Sequence, residues 1–382
     1  MAGVAGCSQG TVSGHIAPDA VPAPALATPL ATSVQTSEGT WATIPMGRLD
    51  EPLNTFWQLF YRPRGGGSWT NQVEATATAT NGGLVLAPAG GSLLVGVRPS
   101  VDLTFTPLIS TPDGGRSWSD GLITEELASR PDALASAGAD ALALVGRRTG
   151  AKVVEASGDL STWRALATEV QLAAGAAGKA CGLGALTAVG FLGPRPLVGG
   201  TCSAAGVAGL FAEQAGHWQL AGPALPGPLD RGRVEVLAVR ASGQGALALL
   251  AVVSSRGTCL VAARTAGTGN QRWSTSAPLA TGDGTQVTSY GPGPSGQGGF
   301  FALLQDPSGV DELALWGTGG AGWQQLPSPP AGTATVAFGP GRAAEALAAR
   351  GSRMTVWSLA PGSRKWSERE VMDVPVQYGS SS

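Results

Sequence analysis

The sequence predicts an all-β chain: a single β-propeller of about seven four-stranded blades, with six as the alternative, behind a disordered N-terminal tether. Three observations lead there: abundant and scattered glycine and proline, strand-length apolar runs bounded by turns, and tryptophans that recur near one period. Glycine (58) and proline (27) suit many short strands joined by turns rather than long helices. Hydrophobic residues make up 43% of the 382 and charged residues 13%. That composition supplies a core and is unlike the polar, highly charged composition of disordered chains.

The tryptophans carry the repeat. Trp41, Trp69, Trp118, Trp163, Trp218, Trp273, Trp323 and Trp366 are separated by 28, 49, 45, 55, 55, 50 and 43 residues. Each follows a Gly, Ser or polar turn and precedes a short stretch, as in Gly39-Thr40-Trp41, Gly216-His217-Trp218-Gln219-Leu220 and Gly322-Trp323-Gln324-Gln325-Leu326-Pro327. Eleven tryptophans would fall at some mean spacing by chance; the shared local context argues against chance. Trp57, Trp316 and Trp357 lie off the grid within apolar runs and read as blade-packing residues.

Upstream of the grid positions, apolar runs of strand length recur, among them Ala141 to Val145, Ala246 to Val253 and Phe300 to Leu304. Several short strands per unit of roughly 40 to 50 residues describe propeller blades. Repetition answers a burial problem, because one twisted sheet cannot cover both of its faces whereas a ring of sheets lets each blade cover the next.

Closure of the ring follows from the short first interval. Between Trp41 and Trp69 there is one clear strand run, Thr55 to Tyr61, while Val371 to Tyr378 continues the chain after Trp366 with strand-forming residues. The C-terminal tail is therefore expected to supply a strand missing from the first blade. Seven intervals then give seven blades.

One unit carries a fuller pattern, Ser110-Thr111-Pro112-Asp113-Gly114-Gly115-Arg116-Ser117-Trp118. It resembles the Asp-box of the BNR and sialidase-like propellers, with Thr111, Asp113, Gly115, Ser117 and Trp118 at the defined positions. The resemblance implies a hairpin turn between the outer two strands of a blade, with the Asp113 carboxylate satisfying backbone amides and the Trp118 ring packing between strands. It implies a structural part rather than an active site. Other units keep the tryptophan and lose the acid: Arg64 stands where Asp113 would, and Asp159 is displaced by one position.

Catalytic machinery is not expected. A sialidase clamps its substrate carboxylate with three arginines and uses a Tyr-Glu nucleophile pair with an Asp acid/base. This chain has three tyrosines, and Arg98-Pro99 is its nearest approach to the Arg-Ile-Pro of the first sialidase blade. No Cys-x-x-Cys occurs, and His15 and His217, the only histidines, cannot build a histidine-based metal centre. Gly178-Lys179 is followed by Ala180 rather than a magnesium-binding hydroxyl, so no phosphate loop forms. Neither metal nor cofactor is expected.

A formal net charge of −2 with three lysines leaves no basic stripe for nucleic acid. The apolar run Ala246 to Val253 is far shorter than the roughly 20 residues of a bilayer helix. The function expected is a non-catalytic extracytoplasmic binding or assembly scaffold, monomeric, whose loops meet a protein or glycan of the cell envelope. Two alternatives stand beside it: a glycoside hydrolase or lyase with acidic residues at the channel mouth, and a purely structural surface lipoprotein.

The N-terminus gives the expected address. Val4-Ala5-Gly6-Cys7 has the form of a bacterial lipobox, which would make Cys7 a lipidation site, and residues 1–35 include a Pro/Ala/Thr-rich tether with Pro18, Pro22, Pro24 and Pro29. The propeller is expected over 36–382. Only six residues precede Cys7, so either the leader begins upstream of Met1 or the match is an accident of common small residues. Cys181 and Cys202, 21 residues apart in neighbouring runs, are placed to face each other as a disulfide on adjacent strands; buried free thiols are the alternative. The state of Cys259 is left open.

Overall fold

The computed structural model describes residues 30–375 except 52–53, 73–81, 90, 99–106, 122–129, 147–149, 159, 161, 226, 255–256, 266–271, 283, 295–297, 318 and 340–342. The lipobox, and the tether expected over 1–35 as far as residue 29, lie outside the described residues.

Seven antiparallel blades follow one another along the chain, each running from its innermost to its outermost strand in sequence order. Blade one is β1 (Thr32–Gln35), β2 (Gly39–Gly47), β3 (Thr55–Pro63) and β4 (Thr70–Asn71). Blade two is β5 (Leu84–Ala89), β6 (Ser92–Val97), β7 (Leu108–Thr111) and β8 (Ser119–Asp120). Blade three is β9 (Arg130–Ala137), β10 (Asp140–Gly146), β11 (Lys152–Ser157) and β12 (Arg164–Thr168). Two short helices, α1 (Glu169–Ala174) and α2 (Ala176–Cys181), then lead into blade four: β13 (Leu183–Leu192), β14 (Arg195–Cys202), β15 (Gly209–Gln214) and β16 (His217–Leu220).

In blade five, β17 (Arg233–Ser242), β18 (Gly245–Ser254) and β19 (Gly257–Thr265) are followed by β20 (Trp273–Thr275) and β21 (Leu279–Ala280), which share the outer edge of β19. Blade six is β22 (Gln286–Pro292), β23 (Phe300–Gln305), β24 (Asp311–Trp316) and β25 (Gln324–Leu326). Blade seven is β26 (Thr333–Phe338), β27 (Ala344–Arg350), β28 (Arg353–Leu359) and β29 (Ser367–Asp373). Blades four and five also share a sheet, because Thr201 and Cys202 of β14 pair with Glu235 and Val234 of β17.

The apolar runs seen in the sequence lie on β10, β18 and β23, the second strand of their blades, covered on both faces. Burial explains their unbroken apolar character, since a strand sandwiched between neighbours has no wet face. The buried side chains form seven clusters, each spanning the interface of two consecutive blades, and the last of them joins Phe60 and Trp69 of blade one to Leu347 and Val356 of blade seven. The ring is therefore closed by packing.

Tight turns join the inner strands. In blades three and four the hairpin loop is two residues long and begins at Gly138 (φ 64°) or Gly193 (φ 59°), the left-handed conformation such turns require. In blades three to seven the innermost strand also carries an extra residue against its partner: Asp132, Thr187, Leu237, Thr288 and Ala334 respectively, with a second, Gly184, in blade four. Such bulges sharpen twist and release backbone groups from the ladder. Bulge residues are used between blades: the Thr187 hydroxyl donates to Val236 O at 2.6 Å, and Leu237 O accepts from Tyr290 Oη at 2.9 Å.

Closure differs from the expectation. The C-terminal segment Ser367–Asp373 completes blade seven against β28, while the strand that blade one seemed to lack is Thr32–Gln35, from the N-terminal side. The propeller thus begins ahead of residue 36. Ala31 bridges Ser289 of blade six in parallel, and Ser289 Oγ donates to Ala31 O at 2.6 Å. Ser33 Oγ reaches Val336 O of blade seven at 2.8 Å. One short strand therefore clasps two blades.

Candidate functional site

Seven of the grid tryptophans occupy one place in the fold. Trp69, Trp118, Trp163, Trp323 and Trp366 immediately precede the outermost strand of their blades, Trp273 opens it, and Trp218 is its second residue. Trp41 is the exception, because it lies on β2, paired with Val34 and Tyr61. The expectation of eight equivalent positions is corrected to seven, and the short first interval falls inside one blade.

Five of the indole N–H groups fall into two sets, while that of Trp323 has no partner among the described residues. Trp118 and Trp163 donate to carbonyls of their own turn, Gly115 O (3.2 Å) and Leu160 O (2.9 Å). Trp69, Trp273 and Trp366 instead donate backwards, to Glu345 of blade seven, to Ala221 O after β16, and to Pro327 O after β25.

Around Asp113 the turn closes on itself. Asp113 Oδ1 accepts the backbone N–H of Ser117 at 2.9 Å, and Oδ2 accepts the Ser117 hydroxyl at 2.7 Å. Thr111 Oγ1 donates to Asp113 Oδ1 at 3.1 Å and accepts the Gly115 N–H at 2.9 Å. The backbone amide of Arg116 also acts on the carboxylate, more weakly than that of Ser117. These bonds, led by the Ser117 hydroxyl, hold the Asp113 carboxyl down to about 2. Trp118 meets the Trp41 ring of blade one edge-on at 6.0 Å, so it packs between blades.

Cys181 and Cys202 are bonded, with their Cα atoms 5.0 Å apart. Cys181 ends α2 instead of lying on a strand: an alanine-rich segment capped by Thr168 and Gln171 turns helical there, and Gly182 at φ 62° stops it. The bond ties that helical connection to the end of β14. No described cysteine is a free thiol.

Along the ring axis the inner strands of blades one to six line a cavity of about 240 Å3. Its walls are chiefly apolar, with Val34, Leu86, Val189, Val239 and Phe300 among them. Into it project Arg98, Asp132 and Arg240. Arg98 Nη2 pairs with Asp132 Oδ1 at 3.1 Å, and the bulge at Asp132 turns that side chain out of the ladder. Burial raises the Asp132 carboxyl, opposed by the Arg98 charge.

Arg240 has no such partner among the described residues; its Nη1 reaches only Gly299 O, at 3.4 Å. Burial pulls its guanidinium down to about 10, still a cation at neutral pH. Asp132 is the single carboxylate among the described lining residues, whereas glycoside hydrolysis uses two.

Neither Asp132 nor Arg240 emerged from the sequence. Other charges share their strands, Arg130 with Asp132 and Arg233 and Glu235 with Arg240, so the strand pattern does not single them out. A second buried acid, Glu235 on β17, has both oxygens unpartnered and is pushed up to about 7 by burial.

The fold has well-matched counterparts among solved structures. A protein of Lactobacillus plantarum superposes with a TM-score of 0.53 at 11% identity, covering 90% of this chain and 98% of its own. A candidate 6-phosphogluconolactonase of Bacteroides uniformis gives 0.53 at 11% identity, covering 89% and 98%. A second candidate of that kind, from Bacteroides fragilis, gives 0.50 at 12%, covering 89% and 96%. This chain is a β-propeller. No protein-family model matches its sequence, and no curated protein does. At such identities the likeness extends to the fold alone.

Proposed function

We propose that this propeller is a non-catalytic binding protein of the cell envelope, in which the axial cavity and the loops at its mouth receive a protein or glycan partner bearing an anionic group. Arg240 carries the reading: a part-buried cation lining an apolar cavity, with no described carboxylate opposite it, is poorly solvated there and gains from a bound acid that completes the pair. The cavity, about 240 Å3, suits a single sugar residue or one side chain.

The turn Thr111 to Trp118 is, on this reading, an Asp-box that stabilises its blade, which makes the chain a BNR-like propeller with degenerate repeats. The disulfide between Cys181 and Cys202 supports export, because such bonds persist in oxidising compartments. A lipid anchor on Cys7 would hold the protein at the membrane; mass spectrometry of the envelope fraction tests it, and unmodified Cys7 in cytosol would end it.

The deciding experiment presents an acidic and neutral glycan array to the wild type and to Arg240→Ala. Retention of acidic glycans without shorter products is expected, weakened about tenfold or more by Arg240→Ala. Release of cleaved products would replace binding with hydrolysis, and indifference to Arg240→Ala would remove the cavity from the account.

A further inference from the structure

The groove where the last blade meets the first is built differently from the other interfaces. Counting back from the tryptophan, the turn Arg62-Pro63-Arg64-Gly65-Gly66-Gly67-Ser68-Trp69 aligns residue for residue with Thr111 to Trp118. Arg62 takes the place of Thr111 and Arg64 that of Asp113. A turn that closes on a carboxylate in blade two is rebuilt in blade one around two cations.

These two arginines and Arg369 of blade seven line one cavity of about 360 Å3, together with Gly65, Gly66 and Gly339. Glu345 is the one carboxylate among its described lining residues, and its oxygens are already engaged. Oε1 accepts from Arg62 and from Arg369, and Oε2 accepts the Trp69 indole N–H at 2.9 Å. Three guanidinium groups against one carboxylate leave an excess of two positive charges in the described lining, and Glu370, the next carboxylate alongside, has its Oε2 on the Trp69 backbone N–H at 3.2 Å.

Arg62 is 7% exposed, yet its Nε has no hydrogen-bond partner. Buried donors are nearly always satisfied, so a missing acceptor is the first explanation of such an atom. The Gly65 and Gly66 positions leave the mouth open: a Cβ at either would meet nothing within 4 Å. Arg369 Nη2 donates to Gly67 O at 3.2 Å, which ties the glycine turn to blade seven.

We propose that this groove binds a tetrahedral oxyanion, the phosphate or sulfate group of a larger ligand, between Arg62 and Arg64 of blade one and Arg369 of blade seven. Arginine forks suit such groups because each presents paired donors in a plane. An anion held there bridges the first and last blades. Its binding therefore stabilises the closed ring, since a ligand that binds only the folded state shifts unfolding by mass action.

Thermal unfolding in sodium phosphate, sodium sulfate and sodium acetate, each matched in ionic strength to sodium chloride, tests the proposal. Phosphate and sulfate should raise Tm saturably above the chloride control, and whichever saturates at the lower concentration names the source of the anion. Arg64 lies on the exposed rim, so Arg64→Ala keeps the Glu345 contacts and should weaken the apparent affinity by about tenfold. Arg240→Ala separates this groove from the axial cavity and should keep the shift. The proposal is overturned by no shift beyond chloride, by an equal shift in Arg64→Ala, by loss of the shift in Arg240→Ala alone, or by acetate acting as well as phosphate.

Discussion

The indole N–H of Trp69 donates to Glu345 Oε2 at 2.9 Å, joining residues 276 apart in sequence across the seam of the ring. A propeller must spend interactions at this seam, because no covalent link runs from its last blade to its first. Here Glu345, 2% exposed, gathers Trp69, Arg62 and Arg369 around one carboxylate, and the Arg62 guanidinium lies 5.6 Å from the Trp69 ring centroid.

Removing that carboxylate strands a buried guanidinium and a buried indole. Glu345→Ala should therefore destabilise the fold by about 3–5 kcal/mol in chemical denaturation. Trp69→Phe, which keeps an aromatic ring but loses the pyrrole half of the buried indole and its charge-assisted hydrogen bond, should cost at least about 1.5–3 kcal/mol. A loss under 1 kcal/mol in both would show that packing alone closes the ring.

The turn at Asp113 predicts an acid limb of stability. Its carboxyl is held down to about 2 in the folded chain, below the 3.8 of a free aspartate carboxyl. A depressed carboxylate contributes stability that is complete above the unfolded pKa and is lost as pH falls through the folded one. Wild type and Asp113→Asn should therefore differ at neutral pH and converge toward pH 2. Carbon-detected titration of Asp113 gives the midpoint directly.

Much of this architecture is legible in the chain. Outer strands begin where a glycine-rich turn meets a tryptophan, and second strands are unbroken apolar runs because neighbours cover both faces. Thr32–Gln35 was hidden because one apolar residue, Val34, stands among three polar ones, whose hydroxyl and amide groups find partners only in blades six and seven. The helix α1 left a trace: Thr168 and Gln171 have the spacing of a capping box, which composition alone does not weigh. The axial cavity left almost none. Its charges come from separate blades, and Asp132 reaches Arg98 because a bulge redirects it.

The disulfide should matter most to the helical connection. Cys181 and Cys202 close a loop of 21 residues, and replacing both with alanine should lower stability by about 2–4 kcal/mol. Hydrogen exchange should accelerate first in α1 and α2, which pack on the blade three–four interface through Leu172 and Cys181. Uniform acceleration around the ring would mean instead that the bond acts on the unfolded chain alone.

Glu235 gives the opposite pH limb. It is 1% exposed, neither oxygen has a partner among the described residues, and burial pushes it up to about 7 from the 4.5 of a free glutamate carboxyl. The Arg233 charge works against that rise. With the folded pKa above the unfolded one, the folded chain holds a proton that the unfolded chain releases, so stability falls as pH rises between those values. The whole effect is of the order of 3 kcal/mol, and it is fully expressed above about pH 7. Glu235→Gln keeps the shape and removes the titration. Its unfolding free energy should match wild type near pH 4.5 and exceed it at pH 8. Two curves that stay parallel over that range would mean that Glu235 remains ionised in the folded ring, held by a partner such as water between it and Thr201, whose Oγ1 is also unpartnered and whose backbone pairs with Glu235 across β14 and β17.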